Sequence, residues 1–238
     1  MAEVNNLSVG QALDHLRHPD AQSKQTRLDE KTDALDLPTW AQVLAAAPRV
    51  YGRDVEIFGQ QEPADCLYKV VSGAVRTFSV LRDGRRHIAG FHLAGDFFGF
   101  EANSRHVLSA AAICNSKILV IKHSVLAILA EHDMDIARRV RGMMGGELGR
   151  AQVHLTNLIM TSCERVAEFL LEMADRSPET NKIELLMSRR EIADHLGLTI
   201  ETVSRTFAKF EAMNAILRLD VRHVTIRNRA ALERISTS

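Results

Sequence analysis

The sequence is short of cysteine, of long apolar runs and of net charge, and each of the first two shortages excludes a class of protein. Its three cysteines, Cys66, Cys114 and Cys163, are far apart in a chain of 238 residues. They therefore predict neither a disulfide framework nor a metal clip. The longest apolar runs fall far short of the roughly 18 residues that a membrane helix needs. The N-terminus lacks the basic start and apolar core of a signal peptide, so we expect a cytoplasmic protein without a membrane partner.

The formal net charge is zero, but the charges are unevenly distributed. From Ser188 to the C-terminus there are nine arginines and lysines against six acidic residues, and the preceding part of the chain offsets this basic excess. A basic C-terminal part on an acidic body favours a nucleic-acid partner for that part. Hydrophobic residues make up 46% of the sequence, enough for the core of one large domain or of two ordinary ones.

The stretch from Met187 to Ile216 predicts two short helices joined by a tight turn. Ser188 and Glu191 have the capping-box spacing of a helix start. Gly197 suits the left-handed conformation at the end of that helix, and Thr199 can cap the next one. A turn of this length between two helices is typical of a helix-turn-helix.

The second of these helices is expected to read DNA bases. If Val203, Phe207 and Phe210 are buried, the opposite face of the helix carries polar side chains to solvent. An arginine there can donate two parallel hydrogen bonds to guanine, a glutamate can accept from cytosine, and a serine can contact thymine. The predicted base-reading residues are Ile200, Glu201, Ser204 and Arg205. The predicted contacts to the DNA backbone, which orient the protein without reading sequence, are Ser188, Arg189, Arg190, Thr199 and Lys209.

A structural alternative exists for the same charged residues. Helix pairs with charged faces are common, and Glu201 and Arg205 lie four residues apart, so they can simply form an ion pair with each other. The agreement between the caps, the glycine and the basic first turn favours the DNA-binding interpretation.

The segment ETVSR at 201–205, preceded by SRREIADHLGLT, resembles the recognition element of the Crp/Fnr superfamily of bacterial transcription regulators. Its E-x-x-S-R form resembles the Fnr and FixK branches, and the resemblance extends over nearly the whole chain from about residue 50. It implies that Glu201, Ser204 and Arg205 read the TTGA half of a TTGA–N6–TCAA-type palindrome, bound by a two-fold dimer. It also implies activation of promoters through contact with RNA polymerase, as FixK-type proteins do in genes for low-oxygen respiration or nitrogen fixation.

Short β-branched and aromatic runs alternate with turn signals between Arg49 and Ile121. Asp83-Gly84 predicts a hairpin between two of the strands. The predicted strands are 66–71, 74–81, 87–93 and a further pair at 108–114 and 118–121, which together indicate an antiparallel barrel or jelly roll. The segments LYKVVSGAVRTF and RRHIAGFHLAGDFFGFEA also resemble the cyclic-nucleotide-binding β-roll of the superfamily, in its FixK version.

A fold does not confer its ligand, so nucleotide binding is a separate question. In the relatives that bind cyclic AMP, a Gly-Glu pair holds the ribose and an Arg-Ser pair holds the phosphate. Here the first pair aligns with Gly99-Phe100 and the second falls near His106-Val107. A buried phosphate without an arginine would be an uncompensated anion. We therefore expect no nucleotide and no other cofactor in the β-roll.

The other sensors of the superfamily can be weighed in the same way. An iron–sulfur cluster of the Fnr type needs four thiolates, and no cysteine precedes Cys66, so such a cluster is excluded. His87, His92 and His106 are formal candidates for a haem ligand. Scattered among strands, these histidines are better interpreted as surface or core residues.

Between Asp135 and Thr161, apolar residues recur at steps of three and four, which predicts a long helix with one apolar face. We expect this face to be a dimer interface formed by Val140, Met144, Leu148, Ala151, Leu155 and Leu158. Packing of the stripe on the chain's own β-roll is the alternative and must hold in part. Gly142, Gly145, Gly146 and Gly149 each cost about 1 kcal/mol relative to alanine in a helix interior. They allow close approach of a neighbour or mark local flexibility.

The predicted fold class is α+β. Its parts are an N-terminal extension (1–45) with a short helix at 40–47, an antiparallel cyclic-nucleotide-binding-like β-roll (46–132), a dimerisation helix (133–161) and a winged helix-turn-helix domain (162–238). Within the last part, a helix is expected at 163–174, two wing strands at 215–220 and 223–227, and a closing helix at 229–235.

The expected function is a homodimeric, sequence-specific activator that needs no effector. The alternative is a ligand-gated sensor of cyclic nucleotide or haem. The sequence shows no nucleophile–base pair and no cluster of metal ligands, so an enzyme is not expected.

Overall fold

The structure, a computed structural model, describes residues 40–44, 46–101, 104–157, 159–179 and 181–237. The N-terminal extension lies outside the described residues except for its end. Helix α1 (Trp40–Leu44) covers the first part of the helix predicted at 40–47. Its Val43 is buried in a cluster with Leu67 and Leu119 of the β-roll.

The β-roll consists of two four-stranded antiparallel sheets. Its strands are β1 (Arg49–Tyr51), β2 (Glu56–Phe58), β3 (Cys66–Ser72), β4 (Ala74–Val80), β5 (Arg86–Leu93), β6 (Phe97–Phe98), β7 (Ser109–Ala112) and β8 (Ser116–Lys122). One sheet has the order β1-β8-β3-β6 and the other has β2-β7-β4-β5. The predicted hairpin is confirmed, since β4 pairs with β5 from Ala74↔Leu93 to Val80↔Arg86 and Gly84 in its turn has φ +81°.

The prediction that β7 and β8 form a pair is wrong. Strand β7 pairs with β2 and β4, whereas β8 pairs with β1 and β3 in the other sheet. Because residues 113–115 cross between the sheets, both strands can bury one face in the same interior. The Ser116 hydroxyl holds this crossing: it accepts a hydrogen bond from the backbone N–H of Ala74 and lies 3.1 Å from the Ala74 carbonyl oxygen.

Two helices follow the β-roll, α2 (His123–His132) and α3 (Met134–Asn157). Helix α3 ends four residues before the predicted Thr161, and Leu158 lies outside the described residues. Ile136 is buried against the chain's own β-roll cluster, and Val140 packs on the same cluster. Val140 is half-buried there, so the alternative of packing on the chain's own β-roll holds at this end of the stripe. Met144, Leu148, Ala151 and Leu155 are exposed.

The C-terminal part has the winged-helix arrangement that was predicted. Its elements are α4 (Ser162–Asp175), β9 (Lys182–Glu184), α5 (Arg189–Leu196), α6 (Ile200–Ala212), β10 (Ile216–Arg218), β11 (His223–Ile226) and α7 (Arg229–Ser236). Strands β10 and β11 are the expected wing, and β9, which was not predicted, pairs with β11. Helix α4 begins with a capping box between Thr161 and Glu164. Among the described residues, every helix is too short or too polar to cross a lipid bilayer.

Two buried histidines give the fold a dependence on pH. Burial lowers the pKa of His92 to about 3, with a further contribution from the charge of Arg176. Burial also lowers the pKa of His195 to about 4, with His154 adding to the effect. Both values lie below the 6.5 of an unperturbed histidine. Between about pH 4 and pH 6.5, both histidines are therefore protonated in the unfolded chain and neutral in the folded chain.

We expect unfolding to become easier as the pH falls. The stability contributed by the two neutral rings is complete above about pH 7. It is lost as the pH falls from 6.5 to about 4 for His195 and to about 3 for His92. At pH 5 the loss should be about 2 kcal/mol for each ring, measured by urea unfolding at pH 7.5 and pH 5. His92→Leu should remove about half of this difference, whereas His132→Gln, at an exposed site, should leave it unchanged. Equal free energies of unfolding at the two pH values would contradict the expectation.

Candidate nucleic-acid interface

The turn between α5 and α6 is fixed by the signals found in the sequence. At the start of α5, the Ser188 hydroxyl accepts from the backbone N–H of Glu191 and the Glu191 carboxylate accepts from the N–H of Ser188 at 2.8 Å. Gly197 ends this helix in the left-handed conformation, with φ 64° and ψ 36°. The Thr199 hydroxyl then accepts from the N–H of Thr202 at 3.1 Å. These local hydrogen bonds therefore fix where α5 ends and α6 begins.

Buried apolar side chains decide which face of α6 points outward. Val203, Phe207 and Phe210 have no exposed surface and pack in the same core as Ile192 and Leu196 of α5. Large side chains buried at steps of four and three place the remaining positions of the helix on the solvent side. The orientation of α6 is thus set by the core beneath it.

The exposed face of α6 carries three of the four predicted base-reading residues. Glu201, Ser204 and Arg205 are exposed, and the last two lie one helical turn after Glu201 on the solvent side. Ile200 differs from the prediction, since it is half-buried and packs against the domain core. It lies three and seven residues before Val203 and Phe207, so it belongs to their face of the helix.

Glu201 and Arg205 form no ion pair with each other in the described part of the chain. The carboxylate of Glu201 instead interacts with its own backbone N–H and with the Thr199 hydroxyl, and these contacts lower its pKa. It is therefore a charged hydrogen-bond acceptor at neutral pH. The alternative in which these two residues merely neutralise each other has no contact to support it, and both side chains are presented separately to solvent.

Four of the five predicted contacts to the DNA backbone are exposed, and Arg189 is the exception. Arg190 and Thr199 are exposed near the solvent side of α6. Ser188 is exposed too, although its hydroxyl already caps α5. Lys209 is exposed as well, and its ammonium lies 3.5 Å from the thiol sulfur of Cys163 in α4.

Arg189 differs from the other predicted phosphate contacts. Its guanidinium lies over the Phe207 ring, 3.7 Å from the ring centroid. Burial lowers the pKa of this half-buried arginine to about 10, with Arg218 adding to the effect. A cation stacked on an aromatic face stabilises the packing of the two side chains. Arg189 thus fastens the start of α5 to α6, and this contact occupies the face of the guanidinium.

The β-roll interior at the positions of the family's nucleotide site is filled by rings. His106, which falls near the phosphate-binding arginine of nucleotide-binding relatives, is fully buried and stacks on Phe58 with centroids 3.6 Å apart. Its Nδ1 lies 3.4 Å from a carboxylate oxygen of Glu101. Gly99 has φ +87°, and a Cβ there would come within 2.8 Å of the Tyr68 ring. The site therefore offers an aromatic stack and a carboxylate where an anion would need a cation.

Comparisons with known proteins agree with this arrangement. Residues 48–133 match the cyclic nucleotide-binding domain and residues 164–235 match the Crp-like helix-turn-helix domain. The chain is 41% identical over 228 residues to the nitrogen fixation regulation protein FixK of Azorhizobium caulinodans, covering 92% of each chain. It is 37% identical over 172 residues to the transcriptional activatory protein AadR of Rhodopseudomonas palustris, covering 70% of this chain and 72% of that protein.

A solved structure shows the same architecture. FixK2 from Bradyrhizobium japonicum superposes with a TM-score of 0.76 at 42% identity, over 80% of this chain and 96% of that one. The fold and the exposed recognition helix define a DNA-binding transcription regulator with a cyclic-nucleotide-binding-like domain. The chain belongs to the Crp/Fnr family and is similar to the FixK proteins within it.

Proposed function

We propose that this regulator binds a TTGA–N6–TCAA-type palindrome as a homodimer, needs no small-molecule effector, and activates transcription by contacting RNA polymerase. The observation that carries the proposal is the exposed set Glu201, Ser204 and Arg205 on a helix whose other face is locked in the core. These three side chains can recognise a cytosine amino group, a thymine methyl and the O6 and N7 atoms of guanine. Activation and nitrogen fixation are proposed because the relatives' names carry those roles.

The dimer is supported by the exposed stripe of α3. Met144, Leu148, Ala151 and Leu155 follow one another at steps of four, three and four and are exposed in the single chain. That is the spacing at which two helices pack along their length. A Cβ added at Gly142, Gly145 or Gly149 would meet nothing within 4 Å. The packing of the chain on itself thus gives no reason for these glycines, which favours the close approach of a partner. We propose 133–161 as the dimerisation segment, between domains at 46–132 and 162–238.

Effector independence is supported by the filled interior around His106. The buried aromatic stack leaves a cyclic nucleotide neither a ribose-binding carboxylate at Phe100 nor a phosphate-binding arginine at His106. Placing a phosphate there would bury an anion without a partner, at a cost of several kcal/mol.

A ligand-gated sensor is the second candidate, and a cavity favours it. Between β5, α3, α4 and α7 lies a cavity of about 820 Å³, within the range of small-molecule sites. His92 lines this cavity, and its Nδ1 has no hydrogen-bond partner in the part of the chain that the structure describes. A small effector seated beside α3 could change how two copies of that helix meet.

The two candidates differ in what DNA binding requires. Protein dialysed free of small molecules should bind a labelled TTGA–N6–TCAA duplex with a dissociation constant on the order of 10⁻⁸ M at physiological salt. Added cyclic AMP or cyclic GMP should leave this value unchanged, and an absorption spectrum should show no haem band. In vitro transcription with purified RNA polymerase should increase on a promoter that carries the palindrome. DNA binding that appears only after a nucleotide is added would establish the sensor instead.

A further inference from the structure

The polar face of α5 is turned towards the β4–β5 hairpin of the β-roll and away from solvent. Glu191, Asp194 and His195 lie three and four residues apart, on one side of the helix. Glu191 and His195 are buried, and Asp194 is half-buried. Each contacts the hairpin: Arg76 Nη1 lies 2.7 Å from Glu191, Arg86 Nη2 lies 2.9 Å from Asp194, and the His195 ring nitrogen lies 3.0 Å from the Ile88 carbonyl oxygen. One helix of the DNA-binding domain is therefore docked on the β-roll by directional polar contacts.

The Arg76–Glu191 pair is the most buried of these contacts. The two side chains are only 7% and 6% exposed. The other amino group of Arg76 donates to Asp54, which lies in the loop before β2, at 2.9 Å. Taking two charges out of water costs about as much as their attraction returns, so such a pair adds little to stability. It can nevertheless fix orientation, because a displaced partner leaves a buried charge unpaired.

Glu191 connects this contact to the recognition helix. One of its carboxylate oxygens accepts from Arg76, and the other accepts from the backbone N–H and the hydroxyl of Ser188. The same carboxylate thus caps α5 and anchors it to β4. The opposite side of α5 packs under α6 through Ile192 and Leu196. A continuous set of contacts therefore runs from β4 through α5 to α6, the recognition helix.

We infer that Arg76 is a positioning residue for DNA recognition. Acting through Glu191, it holds the recognition helix at one angle to the β-roll and to α3, and so sets the half-site spacing that a dimer accepts. The inference rests on the proposed binding of a palindrome. In a two-fold dimer, the separation of the two recognition helices must match the separation of the half-sites. Loosening the contact between α5 and the β-roll should therefore weaken the preference for one spacer length more than the affinity for a single half-site.

The test compares Arg76→Met with the parent protein on duplexes that differ only in spacer length. The parent should prefer the six-base-pair spacer over five and seven. Arg76→Met should bind the six-base-pair duplex about tenfold more weakly and lose most of that preference. Its affinity for a duplex with one half-site should stay within about twofold of the parent value, because α6 itself is intact. Arg82→Met, an exposed position in the turn of the same hairpin, should behave as the parent.

Glu191→Gln provides the second arm, since glutamine also completes a capping box. It should loosen the spacing preference as Arg76→Met does, and the double variant should be no worse than the weaker single one. Arg76→Lys, which keeps the charge, should recover part of the preference. If Arg76→Met weakens one-site and two-site duplexes equally and keeps the six-base-pair preference, Arg76 is only structural and the inference is overturned. Should Arg76→Met fail to fold, Arg76→Lys and Glu191→Gln decide by the same readout. A parent that binds no palindrome would instead refute the proposed function.

Discussion

Replacing Leu148 and Leu155 together by glutamate should turn the regulator into a monomer that has lost high-affinity operator binding. These side chains are 61% and 65% exposed in the single chain. Two copies of the stripe brought together would bury four carboxylates side by side, and buried like charges are strongly unfavourable. Each half-site would then be bound alone, which should lower the affinity for the full palindrome by about 10²- to 10⁴-fold. Sedimentation velocity reports the mass, and a fluorescence titration reports the affinity.

The matched control adds the same two charges beside the stripe. Gln152→Glu with Thr156→Glu changes two exposed positions of α3, which directly follow Ala151 and Leu155 of the stripe. This variant should remain a dimer and bind the palindrome as the parent does. A Leu148→Glu, Leu155→Glu protein that still sediments as a dimer would place the interface elsewhere.

The second large effect is expected at Arg205. Its exposed guanidinium can pair with both acceptors of one guanine in each half-site, so Arg205→Ala should cost about 1–3 kcal/mol per half-site. It should also remove the preference at that base pair. A competition titration against single-base variants of the TTGA–N6–TCAA duplex measures both quantities. If Arg205→Ala lowers the affinity equally for matched and mismatched duplexes, Arg205 is only a backbone contact and other residues read the bases.

Arg190→Ala serves as the contrast for this experiment. Arg190 is exposed at the start of α5, so it should contact a phosphate of the DNA backbone. Its loss should weaken binding to all sequences alike and reduce the salt slope by about one unit per half-site. Arg189→Ala was expected from the sequence to behave in this way. Its stacking on Phe207 now predicts that Arg189→Ala also lowers the stability of the domain, visible as a lower melting temperature without DNA.

The features predicted correctly are those whose signals are local in the chain. Helix starts at Ser188 and Thr199, the left-handed Gly197 and the hairpin at Gly84 depend on residues a few positions apart. The buried side of α6 follows from the spacing of its own aromatic residues. Each can be read from a short window because the hydrogen bond or packing contact is made within that window.

The features that were missed depend on contacts between distant parts of the chain. The assignment of β7 and β8 to different sheets is a property of the whole β-roll. Arg76 and Glu191 are 115 positions apart, and no short window joins them. One signal was available: Glu191, Asp194 and His195 form a polar stripe on a helix start, which indicates a polar partner. The sequence alone could not say whether that partner was DNA, water or the β-roll.

The glycines of α3 have a consequence for how the protein behaves on dilution. Four glycines in one helix cost about 4 kcal/mol relative to alanines, and Gly142, Gly145 and Gly149 have open space around them in the single chain. If a second α3 fills that space, the middle of the helix is ordered by the second copy. By mass action, its amide protons should then exchange slowly in concentrated samples and quickly in dilute ones. Folding of this segment and pairing of the two subunits would be a single equilibrium.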